Sequence, residues 1–406
     1  MFTCGLAAAT SGLGSRDGAR PTFGFTARRV ERNTQARGCH RSHHGHLAGR
    51  TVSAELIFVL GPGGVGKTTT SAVIALEAAA RGQRVALITV DPARRLAQAL
   101  GQERLPHRPE PVPGVDGLDA AMIDRSEAWA HVLAQCISEA ASLSVLKSNR
   151  YFQSLVSEFP GSLEYVASDV IVGLVAEADY DLVVVDTPPA TDALAFLDAP
   201  RRLGKVFDGE FLRLLRGGGG IMSRAARRGG GVIRKVLATF VGEATMEELA
   251  GFLQLMQEVL AYMRERSRRM RALQYRPETR FVLVGAADTA QLGDLETFRN
   301  QLSQRDLSLH ALVVNRLIAE PPDEASCRKA AAGTGLEEWA TRHQSLIAGE
   351  AARQRRRVAE KTRWAEGLPR YTVPCLTLEP RCLEDLARLM PHLAQPTASP
   401  LETMIP

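Results

Sequence analysis

Leu60–Thr70 reads LGPGGVGKTTT, in which Gly61, Gly66, Lys67 and Thr68 fit the pattern G-x-x-x-x-G-K-[ST]. An apolar run, ELIFVL, precedes it and a helix-forming run, TTTSAVIALEAAARG, follows. A strand entering and a helix leaving is the context that the pattern needs to be a phosphate loop. Glycines let the chain wrap, so that the backbone amides of Gly61, Gly63, Gly64, Val65, Gly66, Lys67, Thr68 and Thr69 and the helix N-terminus turn toward phosphate oxygens. Lys67 then reaches the β and γ phosphates, and the Thr68 hydroxyl is a ligand for Mg²⁺. The reading is an ATP site with Mg²⁺. A degenerate loop without nucleotide is the alternative, and it fits poorly because every residue the chemistry needs is present.

Asp186 ends the run DLVVVD, where this class of site places the acid that holds Mg²⁺ through water. DTPP follows, a stiff turn whose backbone at Pro188 can approach the γ phosphate. Asp91 ends ALITVD and is a second carboxylate that the fold would deliver to the same edge. It either caps its own turn or orients the attacking water; beside the loop and Asp186, the second role is favoured.

Six apolar runs, ELIFVL, RVALITV, DLVVVD, RFVLVG, HALVVN and RYTVPCL, alternate with helical patterns. That order reads as α/β, a mostly parallel doubly wound sheet with ligands at the carboxyl ends of its strands. The residues to watch are Gly61 onward, Asp91, Asp186, Gly285 and Asn315. Two stretches, about 118–178 and 203–275, interrupt the alternation and read as one inserted helical subdomain. In the second, Met246, Leu249, Leu253, Met256, Leu260 and Met263 recur at steps of three and four, which puts them on one helix face. That stripe is either a packed core face or a groove for a client. The glycine clusters around IMSRAARR read as a surface loop or as a mobile basic lid carrying Ile221 and Met222.

The main domain is expected over 51–395, with tails at 1–50 and 396–406. The first fifty residues are Arg-, Gly-, His- and Ser-rich, with no hydrophobic period, and read as a disordered tail or a misplaced translation start. The group His40, His43, His44 and His46 gives no fixed metal geometry there. A net charge of +5 over 406 residues, with the basic residues spread among acids, does not suggest nucleic acid. The six cysteines are scattered without a C-x-x-C pair, the pattern of a reduced cytoplasmic protein. No run approaches the roughly 18 apolar residues of a membrane span, so no transmembrane segment is expected.

GGVGKTT, VDPARRLAQALG, GSLEYVA, YDLVVVDTPPA, FLDAPRRL and VVNRL, in this order, resemble the arsenite-pump and tail-anchored-protein-targeting ATPases, most closely their bacterial branch. The resemblance runs from about residue 55 to 390. It implies a Mg-ATPase acting as a homodimer with two nucleotides at the interface, Asp91 in a first switch, Asp186 to Pro189 in a second, and Asn315 at the adenine edge. It also implies that the helical insert rearranges with nucleotide state and carries the surface for a protein client or a membrane-protein partner.

The chain departs from that pattern in several places. The family has a lysine at the position of Pro62 that reaches the partner's phosphates, and proline supplies no cation. Losing such a group can cost about 10³ to 10⁵ in rate where it acts as an arginine finger does. Arg94 and Arg95 are the candidate substitutes, a solvated pair being the alternative. Asp192 replaces the histidine of targeting members. There is no C-x-x-C clasp, and of the thiols only Cys375 and Cys382 lie close in sequence, which disfavours arsenite chemistry. The leading expectation is a dimeric ATP-hydrolysing switch. Its competitors are a nucleotide-dependent scaffold with negligible turnover, an arsenite efflux subunit and a small-molecule kinase.

Overall fold

The computed structural model describes residues 54–394, except 138–139, 151, 154–155, 157–160, 178, 190–192, 202–242 and 377–378, together with residue 396. The N-terminal tail with its histidines, the glycine clusters with Ile221 and Met222, Asp192, and 397–406 lie outside the described residues. The strands are β1 (Glu55–Leu60), β2 (Val85–Thr89), β3 (Glu110–Pro111), β4 (Leu118–Met122), β5 (Leu182–Asp186), β6 (Thr279–Ala286), β7 (Leu309–Leu317) and β8 (Arg370–Pro374). They form one sheet in the order β3-β4-β2-β5-β1-β6-β7-β8. All pairs are parallel except β3 with β4.

All six apolar runs are strands; β1, β2, β5 and β6 are buried on both faces along nearly their whole length, while β8, at the sheet edge, buries Tyr371 and Val373 on one face. In β1, Leu56, Phe58 and Leu60 enter one core while Ile57 and Val59 enter the other, as the period of two requires. β4 was not visible in the sequence. LDAAM is alanine-rich and carries Asp119, so its local preference is helical, and only pairing with β2 makes it a strand. The helical stretch expected from residue 118 therefore begins at Arg125.

The helices are α1 (Lys67–Ala80), α2 (Arg95–Ala99), α3 (Arg125–Cys136), α4 (Ala140–Ser148), α5 (Ser162–Ala176), α6 (193–201), α7 (Glu243–Gln274), α8 (Thr289–Ser303), α9 (Glu324–Ala331), α10 (Glu337–Lys361), α11 (Leu383–Ala387) and α12 (Met390–Ala394). α1, α2, α11 and α12 cover one face of the sheet. α3, α5, α6, α7 and α8 cover the other. Asp124 starts α3 by accepting the Glu127 amide at 2.9 Å, a side-chain cap of an otherwise unpaired N–H.

α3, α5 and α7 pack together. Of the Met/Leu stripe on α7, Leu260 and Met263 are buried in the core, together with Val259 and Met270. Arg266 of α7 donates to both the carboxylate and the carbonyl of Asp169 on α5, and its guanidinium lies 5.7 Å from the centre of the Tyr262 ring. Asp169 is 2% exposed, so the pair is a buried clasp between the two helices. On α3, Trp129 donates to the Ser162 hydroxyl at 2.7 Å. Among the described residues no helix is long and apolar enough to cross a membrane.

Candidate functional site

β1 lies between β5 and β6, yet α1 carries the chain past β5 to β2, so the order reverses at the carboxyl end of β1. Such a switch point opens a crevice above the sheet. The loop 61–66 fills its floor. Gly61 has φ 150° and Gly66 φ 94°. A Cβ on Gly61 would come within 2.1 Å of the Val284 carbonyl, and one on Gly66 within 2.1 Å of Asn315 Nδ2. Close approach of β6 and β7, as well as the turn itself, therefore requires glycine at these two positions. Val65 anchors the loop in the core, fully buried. No side chain caps the N-terminus of α1, and its first turn holds no acid. Its amides are left for an external acceptor, the arrangement that suits an anion.

Lys67 is 7% exposed and donates to the carbonyls of Gly61 at 3.1 Å and Pro62 at 2.9 Å. Burial lowers its pKa, against the upward pull of Asp186 and Asp91. An oxyanion entering the loop offers this ammonium a stronger partner than two neutral carbonyls. Pro62 is half-buried and contributes its carbonyl to Lys67.

Asp186 is fully buried at the end of β5. Its Oδ2 accepts from the hydroxyls of Thr68 at 2.9 Å and Thr89 at 3.0 Å, and its Oδ1 accepts from Ser71 at 3.4 Å. Burial pushes its pKa up to about 6, although the two threonine hydroxyls and Lys67 pull it down. Thr187 donates to the Val59 carbonyl at 2.7 Å and fixes the start of the next turn to β1. Pro188 follows, half-buried, and the Cβ of Pro189 would lie 3.9 Å from one built on Gly63. The turn after β5 thus faces the phosphate loop.

Asp91 follows β2 at the same edge. Its Oδ1 accepts the Ala93 amide at 2.9 Å, and its Oδ2 lies 3.8 Å from Arg95 Nη1. It caps its own turn, with the carboxylate 20% exposed. Arg94 and Arg95 are exposed at the N-terminus of α2. Asn315, in β7, donates to the Val65 carbonyl at 2.9 Å and accepts the Arg316 amide at 2.8 Å. It braces the loop from behind. Gly285, beside it in β6, is packed under Leu295, with no room for a side chain.

Ser71 and Thr89 were missed in the sequence. Ser71 lies four residues after Lys67, so it shares that helix face, and Thr89 ends a strand two residues before Asp91; those positions were the available signals. A cavity of about 350 Å³ beside Asn315 was also missed. It is lined by Ala286, Ala287, Asp288, Gln291, Arg316, Gln354 and Arg357. Gln354 of α10 donates to Ala287 O at 3.1 Å and accepts the Ile318 amide at 2.7 Å, so it ties the ends of β6 and β7 together. The Gln291 amide oxygen is shielded and has no hydrogen-bond partner. Its walls offer amide and guanidinium groups beside the loop.

Thr68 and Asp186 present hard oxygen donors side by side, a set suited to Mg²⁺ completed by water and phosphate. Among the described residues no group of three His, Cys, Asp or Glu forms a metal cage, and Cys375 and Cys382 form no disulfide.

Comparison with known proteins agrees with this geometry. The chain is 28% identical to an ATPase GET3 of Malassezia globosa over 350 residues, 86% of this chain and 93% of the relative. It is 29% identical to an ATPase GET3 of Mycosarcoma maydis over 67% of this chain and 75% of that protein, and 29% identical to an ATPase asna-1 of Caenorhabditis elegans over 69% and 80%. The profile of the anion-transporting ATPases matches residues 54–340. With the phosphate loop, the buried Asp186 and the sheet order all in place, this chain belongs to the anion-transporting ATPase family.

Proposed function

We propose that this ATPase is a cytoplasmic, Mg-dependent homodimeric switch that couples ATP binding and hydrolysis to a protein client or membrane-protein partner through its helical insert. The observation that carries the reading is the contact of Thr68 and Asp186, 2.9 Å apart beneath the phosphate loop, with Lys67 buried beside them. In this reading Thr68 and Asp186 hold Mg²⁺, which supplies charge neutralisation at the phosphates. Lys67 exchanges its bonds to the Gly61 and Pro62 carbonyls for phosphate oxygens. The amides of 63–69 bind the phosphates, Pro188 carries the turn that faces the γ phosphate, and Asn315 holds the loop against β7. The cavity beside Asn315 receives the nucleoside. Asp91 orients the attacking water once its bond to the Ala93 amide opens.

Pairing follows from the single phosphate loop per chain and from the family resemblance. The insert is the coupling element because α5 runs into β5, which ends at Asp186, and α7 runs into β6. Phosphate release measured at several protein concentrations, with Lys67→Ala beside it, tests the reading. Turnover should rise more steeply than protein concentration and vanish in the variant. Turnover strictly proportional to concentration across the whole range would remove the dimer.

Pro62 favours a second reading, a scaffold that closes on ATP and scarcely turns over. In that case ATP binds and the protein releases no phosphate. If Arg94 and Arg95 replace the missing cation, the double variant Arg94→Ala/Arg95→Ala loses turnover but keeps ATP binding.

A further inference from the structure

The opposite edge of the sheet holds a second cavity, of about 430 Å³, lined by several arginines. Its lining is Arg201 of α6, Arg268, Arg271 and Ala272 near the end of α7, Tyr275 just beyond, and Asp306 before β7. The Nε of Arg271 is shielded from solvent and has no hydrogen-bond partner. A buried guanidinium N–H without an acceptor is costly, and its fork geometry matches carboxylate or phosphate oxygens.

The walls are fixed before anything binds. Arg305 grips Asp198 of α6 through two bonds, at 3.0 and 2.8 Å. Tyr275 donates to the Arg305 carbonyl at 2.9 Å, and Gln274 donates to the Leu197 carbonyl at 3.0 Å. α6, the end of α7 and the turn before β7 are therefore pinned to one another around the cavity. The nearby carboxylates are engaged: Asp198 by Arg305, and Glu265 by Arg268 and Arg269. Three guanidinium groups line the space; Arg268 is paired with Glu265, which leaves Arg201 and Arg271 against one carboxylate, Asp306. A cation in the last turn does complement the helix dipole, and Arg271 is so placed. That role needs neither Arg201 nor Arg268, and it leaves the Arg271 Nε without an acceptor.

We propose that this cavity is an anion site, separate from the phosphate loop, that takes phosphate or a small phosphate monoester. The remaining excess of positive charge suits an anion, and the volume falls within the range of small-molecule sites, which leaves room for an organic group on the phosphate. α6 begins close to the turn after β5, where Ala193 donates to the Pro189 carbonyl at 2.9 Å, and Arg201 lies eight residues further along it. The site thus lies along the helix that begins next to the phosphate loop.

The test uses the full chain carrying Lys67→Ala, which removes the lysine of the phosphate loop. Arginine modification by phenylglyoxal is mapped by peptide mass spectrometry in inorganic phosphate, in glycerophosphate and in chloride at matched ionic strength. Both phosphate compounds should protect Arg201, Arg268 and Arg271 but not the exposed Arg353, and stronger protection by glycerophosphate would assign the site to an ester rather than the free ion. Adding Arg271→Gln should weaken the protection of Arg201 and Arg268 roughly tenfold in phosphate concentration. Equal modification in phosphate and chloride, or protection unchanged by Arg271→Gln, overturns the proposal. Should that variant fail to fold, the protection pattern in the Lys67→Ala chain decides alone.

Discussion

Replacing Asp186 by Asn should stabilise the nucleotide-free protein while abolishing its Mg-dependent chemistry. Asp186 is fully buried, and burial moves its pKa from the usual 3.8 to about 6. The folded protein therefore binds a proton between about pH 4 and 6 that the unfolded chain has released. The stability associated with this group is present below about pH 4 and is lost as pH rises through about 6. At about 1.4 kcal/mol for each tenfold in proton affinity, the loss at neutral pH is about 3 kcal/mol. Asn carries no charge, keeps an oxygen for the Thr68 and Thr89 hydroxyls, and escapes the loss. With an unfolding entropy of about 2.1 cal/mol/K per residue over roughly 340 residues, 3 kcal/mol corresponds to about 4 °C in Tm. The assay is thermal unfolding of both proteins in EDTA, without nucleotide, at about pH 8 and about pH 4.5. The Asn protein should melt higher at the upper pH, and the gain should shrink to about a third at the lower. A gain independent of pH, or an Asn protein less stable at pH 8, would refute the burial argument for Asp186.

Arg266→Met should cost about 3–5 kcal/mol, because it leaves Asp169 buried without its counter-charge; the denaturant midpoint reports it, and Asp169→Asn in the same chain should recover part of the loss. Gly66→Ala should weaken ATP binding at least about tenfold, since its φ of 94° strains any side chain and the new Cβ meets Asn315. Asn315→Ala in the same chain should restore only the steric part, as titration with ATP would show. Pro62→Lys should raise phosphate release, with an upper bound of about 10³ to 10⁵ if the new cation acts across a dimer, and only at concentrations where chains pair. An unchanged rate would mean that position 62 does not face a partner's phosphate.

The readable parts of this molecule are those whose signal is local. Gly61 to Thr68 lie within one stretch, and the turn it makes calls for glycine at positions 61 and 66 even before β6 and β7 close on them. The six runs with a strong apolar signature became strands for the same reason. β4 went unread because Ala120 and Ala121 carry no strand preference of their own, and the sheet imposes one. The same distinction separates Lys67 from its surroundings. The hydroxyls of Thr68, Ser71 and Thr89 meet Asp186 from α1 and β2, across 97 to 118 residues of chain, and no spacing rule links them.

Asn315 and Gln354 show what this distance does to functional reading. As a polar residue closing an apolar run, Asn315 announced a site residue, yet the sequence held no sign that its amide would brace Val65 from behind. Gln354 lies in the middle of a charged helix and looks like one more solvated side chain. Packed between Ala287 and Ile318, it is 8% exposed and joins α10 to the ends of both strands that border the phosphate loop. Movement of α10 would reach Val65 through Gln354, β7 and Asn315, a path of hydrogen bonds and backbone that passes the exposed Arg316. A ligand that shifts the loop would therefore pull on α10 along the same path. The joint is made of contacts between segments that share no local pattern, so reading the loop alone could not have found it.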